Sequence, residues 1–277
     1  MRAIGTLTWL TLAEAWRRWM VLAALALGAA FVLLYGLGVH FVEDQLRATT
    51  PRFLYANAHN FLLLAGLYVV HFLTIMLAIF ASVDAVAGEI TSHTIQTLVT
   101  KPVRRWQVLL GKWAGYAIML TVYLFALGGS LMLVMQALTG YVAPHPLLGL
   151  SLIVLEALVL LSLALLGGTR LSTLSNGVVL FLLYGVSFIG SWVEQIGSIL
   201  QVPQAETIGR WTGYVLPVEE LWRRVAAELT PPDTGLSNFV SPFAAFAVPD
   251  PAIVWYTLAY AAVALGLALV AFSRRDL

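Results

Sequence analysis

Long apolar runs separated by short polar segments dominate the pattern of this chain of 277 residues. A helix of about 20 mostly apolar residues can cross the roughly 30 Å hydrocarbon core of a membrane. Six runs reach about that length, at residues 19–39, 61–82, 113–137, 147–168, 176–193 and 252–272. The pattern therefore predicts an all-α integral membrane protein, a single domain over residues 1–277 with six transmembrane helices.

A short helix is also predicted before the first span. Trp9, Trp16 and Trp19 interrupt its apolar positions, and Glu14 lies one turn before Arg18. Tryptophans at the level of the lipid headgroups, with charged residues outside them, are typical of a helix that lies in the membrane interface. The same residues also suit a simple extension of the first span, so both interpretations stay open.

The segment between spans five and six, residues 194–251, is too long for a simple connection and contains a further predicted helix. Pro217 precedes this helix, and Pro231 with Pro232 ends it. Its apolar residues recur with a helical period at Val218, Leu221, Trp222, Val225 and Leu229. Glu219 with Arg223, and Glu220 with Arg224, have the spacing of i, i+4 ion pairs. We expect this extracytoplasmic helix to lie on the outer leaflet or to cap the bundle, either as a lid or as part of a substrate route.

The small number of charged residues agrees with a membrane protein, and the distribution of Lys and Arg predicts its orientation. Only 10% of the residues are charged and 60% are hydrophobic, against about 25% and 45–50% in ordinary soluble domains. Ten of the 15 Lys and Arg residues lie on the side of the chain termini. The other five are Arg47, Arg52, Arg210, Arg223 and Arg224. Because cytoplasmic loops carry the positive excess, both termini are predicted to be cytoplasmic, in the cytoplasmic membrane of a prokaryote. The net charge of +1 offers no basic surface for nucleic acid.

The sequence predicts neither a catalytic site nor a metal site. The chain has no cysteine, and no two of its histidines have i, i+4 spacing. The histidines are His40, His59, His71, His93 and His145. Gly111 and Lys112 superficially resemble a phosphate-binding loop, but Trp106 and Trp113 stand where that loop requires Gly and Ser or Thr. We therefore predict a non-catalytic chain with no cofactor of its own; if its work is driven by ATP, a partner must hydrolyse the ATP.

The loop between spans two and three, residues 82–113, contains a predicted short helix that begins near residue 91. Ile95, Leu98 and Val99 form one apolar stripe on this helix. Pro102 ends it, because the residue before a proline resists the helical conformation. A helix held parallel to the membrane between two spans can serve as a handle for a cytoplasmic partner.

This loop resembles the cytoplasmic loop of the permease subunits of ABC-2 type ABC transporters. The family pattern has an acidic residue, Gly-Glu, a short helix, Pro after Lys or Ser, an Arg, and then Leu-Gly-Lys. The matching residues are Asp84, Gly88, Glu89, Thr94, Lys101, Pro102, Arg105, Leu110, Gly111 and Lys112. Ser92 and His93 depart from the pattern, where many members have a glycine. Residues 168–177, 187–197 and 214–224 are also similar to the family, so the resemblance covers nearly the whole chain.

The resemblance implies a permease subunit of an ATP-driven exporter of lipids, glycans, drugs or peptides. It implies a dimer with a second permease copy in the lipid membrane. Each copy would bind a separate cytoplasmic ATPase subunit, which holds ATP and Mg. The loop helix would be the coupling helix, seated in a groove of the ATPase. The implied coupling residues are Asp84, Glu89, Thr94, Ile95, Leu98, Val99, Lys101, Arg104 and Arg105.

Polar residues inside the spans form a second candidate site. Glu156 lies in mid-span, where a charged carboxylate costs about 2.5–3.5 kcal/mol to insert. It is either protonated and hydrogen-bonded to a neighbouring helix, or it faces an aqueous or substrate-lined cavity. Two polar stripes accompany it, Tyr68, His71 and Thr74 in span two and Tyr184, Ser187 and Ser191 in span five. These stripes either line a substrate path or join helices by polar contacts.

Two other classes of protein remain as alternatives. One is a stand-alone intramembrane enzyme similar to rhomboid proteases, suggested by six spans and by the Gly-Leu-Ser-Leu fragment at residues 149–152. That fragment lacks the glycine expected after the serine, so we interpret it as small-residue packing. The other class is an ATP-independent membrane channel or scaffold.

Overall fold

The computed structural model describes residues 2–49, 51, 54–91, 104–231 and 248–274. Over these residues the chain forms nine helices and no strand. The helices are α1 (Arg2–Ala15), α2 (Trp19–Thr49), α3 (Tyr55–Thr91), α4 (Arg105–Thr139), α5 (Pro146–Gly168), α6 (Thr173–Leu200), α7 (Pro203–Val215), α8 (Val218–Leu229) and α9 (Ala252–Ser273). The predicted all-α fold is confirmed for this part of the chain.

Six of these helices are long and apolar enough to cross a membrane, namely α2, α3, α4, α5, α6 and α9. They contain the six predicted spans and extend beyond most of them, and polar residues near the helix ends are paired there. Glu43 on α2, for example, lies 2.7 Å from His59 on α3 and 2.8 Å from Arg47. Tyr141, after α4, donates a hydrogen bond to Asn60 on α3 over 3.1 Å.

The N-terminal helix is separate from the first span, because a turn at residues 16–18 divides α1 from α2. Helix α1 packs against α4 so closely that a Cβ on Gly111 would lie 2.6 Å from the Cβ of Leu7. Trp9 and Trp19 stay exposed, at 68% and 81% of their surface. The extension of span one is therefore wrong, while the position of α1 in the membrane interface stays a prediction.

The core of the bundle lies between α3, α4 and α5. Its fully buried side chains come mainly from these three helices and include Leu67, Ile75, Leu124, Leu131 and Ile153. The first and last spans, α2 and α9, bury much less of their surface. Their exposed apolar side chains, such as Leu33 and Val263, suit contact with lipid tails or with another apolar chain.

After α6, the chain turns at Gln201, which adopts the left-handed conformation with φ 55°. Helix α7 then runs back along α6, and α8 runs forward again; we call residues 203–229 the re-entrant hairpin. The contact between α6 and α7 has no room for a side chain at Gly209, whose added Cβ would lie 2.5 Å from the Cβ of Glu194. The hairpin reaches the middle of α6, where Ser187 donates a hydrogen bond to the carbonyl of Leu216 over 2.7 Å.

The helix predicted after Pro217 exists as α8, but it lies inside the bundle rather than on a surface. Nine of its 12 residues are buried, and it packs against α5 with further contacts to α3, α6, α7 and α9. The predicted i, i+4 ion pairs are absent. Arg223 bonds Glu194 and Glu220 instead, and Arg224 bonds Glu228. The predicted pairing failed because Arg223 is buried against Glu194 of α6 and Glu220, while Arg224 pairs with the next turn of its own helix instead of the preceding one.

Candidate functional site

The mid-span carboxylate meets a histidine of a neighbouring helix. Glu156 on α5 and His71 on α3 are both fully buried, and Glu156 Oε2 lies 2.6 Å from His71 Nδ1. Glu156 thus has a hydrogen-bond partner on a neighbouring helix, while its protonation and its part in a substrate-lined cavity stay predictions. Burial of both groups makes the bond strong, because the surroundings have a low dielectric constant.

A second carboxylate approaches the same imidazole from the re-entrant hairpin. Glu219, in the first turn of α8, is buried, and its Oε1 lies 3.7 Å from His71 Nε2. We call Glu156, His71 and Glu219 the central triad. Three of its polar atoms have no hydrogen-bond partner, namely Glu156 Oε1, His71 Nε2 and Glu219 Oε1. Helices α3, α5 and α8 thus bring two carboxylates and one imidazole into a single dry site.

Aromatic side chains surround the imidazole and exclude water from it. The ring of Tyr68 stacks on His71 at 5.6 Å between centroids, and Trp222 of α8 lies 4.9 Å from His71 and 5.0 Å from Tyr68. Tyr184 of α6 is also buried and interacts electrostatically with Glu219. Three helices and the hairpin therefore enclose the central triad.

The structure divides the two predicted polar stripes. Tyr68, His71 and Tyr184 join Glu156 in the central cluster. Thr74 instead donates to the carbonyl of Val70 in its own helix over 2.8 Å. Ser187 bonds the start of α8 through Leu216, and Ser191 accepts a hydrogen bond from Gln195 over 3.5 Å. Some members therefore form the cluster and others make contacts within or between helices, while the substrate path stays a prediction.

Sequence analysis missed Glu219 as a site residue, because the charge pattern assigned it to an exposed ion pair. One signal was available: Glu219 lies one turn before Trp222, next to the apolar stripe of the helix. A charged residue adjacent to the buried face of a helix lies near the core, where it needs a partner.

A second buried network lies on α8, one turn further along. Arg223 donates to Glu194 of α6 over 2.7 Å and also bonds Glu220. Burial raises the pKa of Glu220, and Glu194 adds to this shift while Arg223 opposes it. Arg210 of α7 lies 3.9 Å from Glu194. A cavity of about 450 Å³ adjoins this network and is lined by Arg210, Tyr214, Arg223, Asp250 and Tyr256, among others.

Among the described residues, no group of three or more His, Cys, Asp or Glu side chains could hold a metal ion. The Gly-Leu-Ser-Leu fragment has a packing role. A Cβ on Gly149 would lie 2.9 Å from the side chain of Leu229, and Ser151 donates to the carbonyl of Leu148 over 2.8 Å. Ser151 is exposed on α5 rather than set in the central cluster.

Asp84, one of the predicted coupling residues, lies at the end of the bundle where α1 is found. Asp84, near the end of α3, accepts from Arg18 over 3.3 Å and from Thr173, the first residue of α6, over 3.4 Å. Arg18 also bonds Glu14 over 2.8 Å. Nearby, Lys112 of α4 donates to the carbonyl of Ala85 over 2.8 Å. Asp84 thus joins the α1–α2 connection, α3 and α6.

The structure describes only some of the other predicted coupling residues. Arg104 is exposed immediately before α4, and Arg105 is the first residue of that helix. The side chain of Glu89 lies outside the described residues, as do Thr94, Ile95, Leu98, Val99 and Lys101. The predicted helix from residue 91 to residue 99 therefore stays a prediction.

A family model described as "ABC-2 family transporter protein" matches residues 9–277. Among curated proteins, the chain is similar to the probable ABC transporter permease protein NosY of Pseudomonas aeruginosa, with 28% identity over 214 residues. The aligned part covers 74% of this chain and 77% of that protein.

Proposed function

The chain belongs to the ABC-2 family of transporter proteins, and from this premise we propose that it is the permease subunit of an ATP-driven exporter. The observation that carries the proposal is the extent of the family match, which takes in all six candidate membrane spans. In this proposal the chain forms the transmembrane path and a separate ABC ATPase subunit hydrolyses ATP. The chain itself has no catalytic role.

Coupling to the ATPase is proposed to pass through the helix predicted between α3 and α4. Its apolar stripe of Ile95, Leu98 and Val99 would be buried in a groove of the ATPase. Asp84 supports this role, because it lies close before that segment and bonds both Arg18 and Thr173. A displacement of the segment would therefore act on three elements of the bundle at once.

The proposed complex contains two permease copies and two ATPase subunits, with ATP and Mg bound by the ATPases. The excess of Lys and Arg on the side of the termini supports a cytoplasmic location for the termini and for the segment after Asp84. The spans are strongly apolar, with mean hydropathies of 1.7 to 2.5, which suits an amphipathic or lipid-like substrate. The proposed substrate classes also include drugs, glycans and peptides.

Co-purification tests this proposal. The full chain, carrying an affinity tag, is expressed with the ABC ATPases of its own organism, solubilised in mild detergent and purified. We expect one ATPase to be retained in equal amount, in a complex of two copies of each chain with measurable ATP hydrolysis. Recovery of the folded chain without any ATPase, from membranes that contain the candidates, would contradict the proposal.

A further inference from the structure

Negative groups outnumber positive ones in the buried region around α8. Four carboxylates are buried there, Glu156, Glu194, Glu219 and Glu220. Among the described residues, the buried groups that can carry positive charge in this region are Arg223 and His71. Arg210 is also close to Glu194, but its side chain is 55% exposed. Even with His71 charged, the buried carboxylates exceed the buried cations by two if all four are ionised.

Arg223 does not neutralise the negative charge of the central triad. Its guanidinium bonds Glu194 and Glu220, and it makes no ion pair with Glu156 or Glu219. The triad must therefore balance its own charge. Two ionised carboxylates and one neutral imidazole would carry two negative charges, and a charged imidazole would still leave one. An uncompensated charge in a dry interior is so costly that a titratable group takes up a proton instead.

The groups that face the imidazole from each neighbouring element do not change this balance. Tyr68 lies beside His71 on α3, and Tyr184 faces the cluster from α6. Helix α5 contributes Glu156, and α8 contributes Glu219 together with the apolar face of Trp222. Neither tyrosine supplies a positive charge, so the missing charge has to come from solvent as a proton.

We propose that the central triad is a proton-binding site, in which His71 is charged and one of the two carboxyls, Glu156 or Glu219, is protonated at neutral pH. The added protons come from water and make the triad neutral as a whole. One of these protons resides on an unpartnered carboxyl oxygen, Glu156 Oε1 or Glu219 Oε1, and the other on the unpartnered Nε2 of His71. Glu219 belongs to the re-entrant hairpin, so the complete site exists only while α8 is packed against α3 and α5.

This site goes beyond the proposed transport function and does not depend on it. It requires only the folded permease chain, so its test needs neither an ATPase nor a substrate. Loss of ATPase binding would leave the proton site intact, and absence of the proton site would leave the permease assignment intact. The two proposals therefore fail separately.

Infrared spectroscopy of the full chain in lipid nanodiscs tests the proposal. A protonated carboxylic acid absorbs apart from ionised carboxylates, and its band shifts in D₂O. We expect this band at neutral pH in the wild-type chain and a weaker band in the double variant Glu156→Gln, Glu219→Gln, which loses the contribution of the triad and keeps any contribution of Glu220. The matched control is Glu228→Gln, since Glu228 also lies on α8 but pairs with Arg224 near the surface; the band should persist there.

Two results would overturn the proposal. One is the absence of a protonated carboxyl band in the wild-type chain at neutral pH, which needs no variant and is decisive even if the double variant fails to fold. The other is an unchanged band in a folded double variant, which would assign the proton to another carboxyl such as Glu220. Nitrogen chemical shifts of His71 give an independent measurement, and a neutral imidazole at neutral pH would also contradict the proposed charge state.

Discussion

Arg223 and Glu194 join the re-entrant hairpin to α6 through a buried ion pair with 2.7 Å between Nη2 and Oε2. The two residues are 29 positions apart in the chain, and only 3% of the surface of Arg223 is exposed. Because Glu220 shares the same guanidinium, one cation holds two carboxylates of different helices. Arg223 therefore links α8 to α6 through a buried ion pair.

Replacing Arg223 by Ala is expected to destabilise the protein strongly. Removal of one partner of a buried ion pair leaves uncompensated charge, at a cost of about 3–5 kcal/mol. Arg224→Ala is the matched control on the same helix, because its partner Glu228 lies one turn away and the pair is partly exposed. That change should cost about 1 kcal/mol or less. Denaturant unfolding in detergent measures both, and equal losses would contradict the assigned role of Arg223.

Glu156 is expected to matter for assembly or transport. Glu156→Gln keeps the shape and a hydrogen bond to His71, whereas Glu156→Leu leaves the buried imidazole without that partner, at a cost of about 1–3 kcal/mol. The Gln variant should therefore assemble better than the Leu variant. Size-exclusion chromatography and transport by reconstituted vesicles measure the difference. Normal assembly and full activity of the Leu variant would show that the carboxyl is incidental.

Close packing of α6 on α7 gives a third prediction. Gly209→Ala places a methyl group 2.5 Å from the Cβ of Glu194, and overpacking of this kind costs about 1–3 kcal/mol. Gly185→Ala on α6 is the control, because no atom lies within 4 Å of its added Cβ. The control should be neutral or stabilising by up to about 1 kcal/mol. Thermal unfolding that ranks the two variants in the opposite order would refute the described contact.

Orientation in the membrane is tested with single cysteines, since the chain has none of its own. The loop around Glu219 and Arg224 is predicted to be extracytoplasmic, but α8 is buried, so the exposed residue Gln204 is the better outer position. Arg104 is exposed at the predicted cytoplasmic side. An impermeant reagent should label Gln204→Cys and not Arg104→Cys in intact cells. The reverse pattern would invert the topology.

The six spans and the separate helix after Pro217 could be predicted from sequence because each depends on local length and period. The hydrogen bond between His71 and Glu156 could not be predicted, because the two residues are 85 positions apart in the chain. Their contact depends on the relative height and rotation of α3 and α5. Helix α7 was not predicted, because it lacks an apolar run as long as those of the spans. What holds it is the close approach to α6 at Gly209, which only the folded structure shows.

Glu219 shows the same limit at the site itself. Its spacing to Arg223 satisfies the i, i+4 rule, yet burial turns Arg223 toward Glu194 and Glu220 and places Glu219 3.7 Å from His71. The depth of a helix in a bundle is set by the surfaces that receive it. A periodic pattern in the helix alone therefore does not determine which charges will be paired.

The amount of ATPase retained per permease chain after co-purification tests the proposal that an ATPase bound to the loop after α3 drives transport. Leu98→Asp places an unpaired charge in the proposed buried interface, at a cost of about 3 kcal/mol or more, which lowers affinity more than about a hundredfold. Thr97→Asp, on the opposite face of the same predicted helix, is the matched control. We expect Leu98→Asp to lose the ATPase, or to keep it hydrolysing without transport, while Thr97→Asp keeps both; intact binding and transport in Leu98→Asp would contradict coupling through this loop.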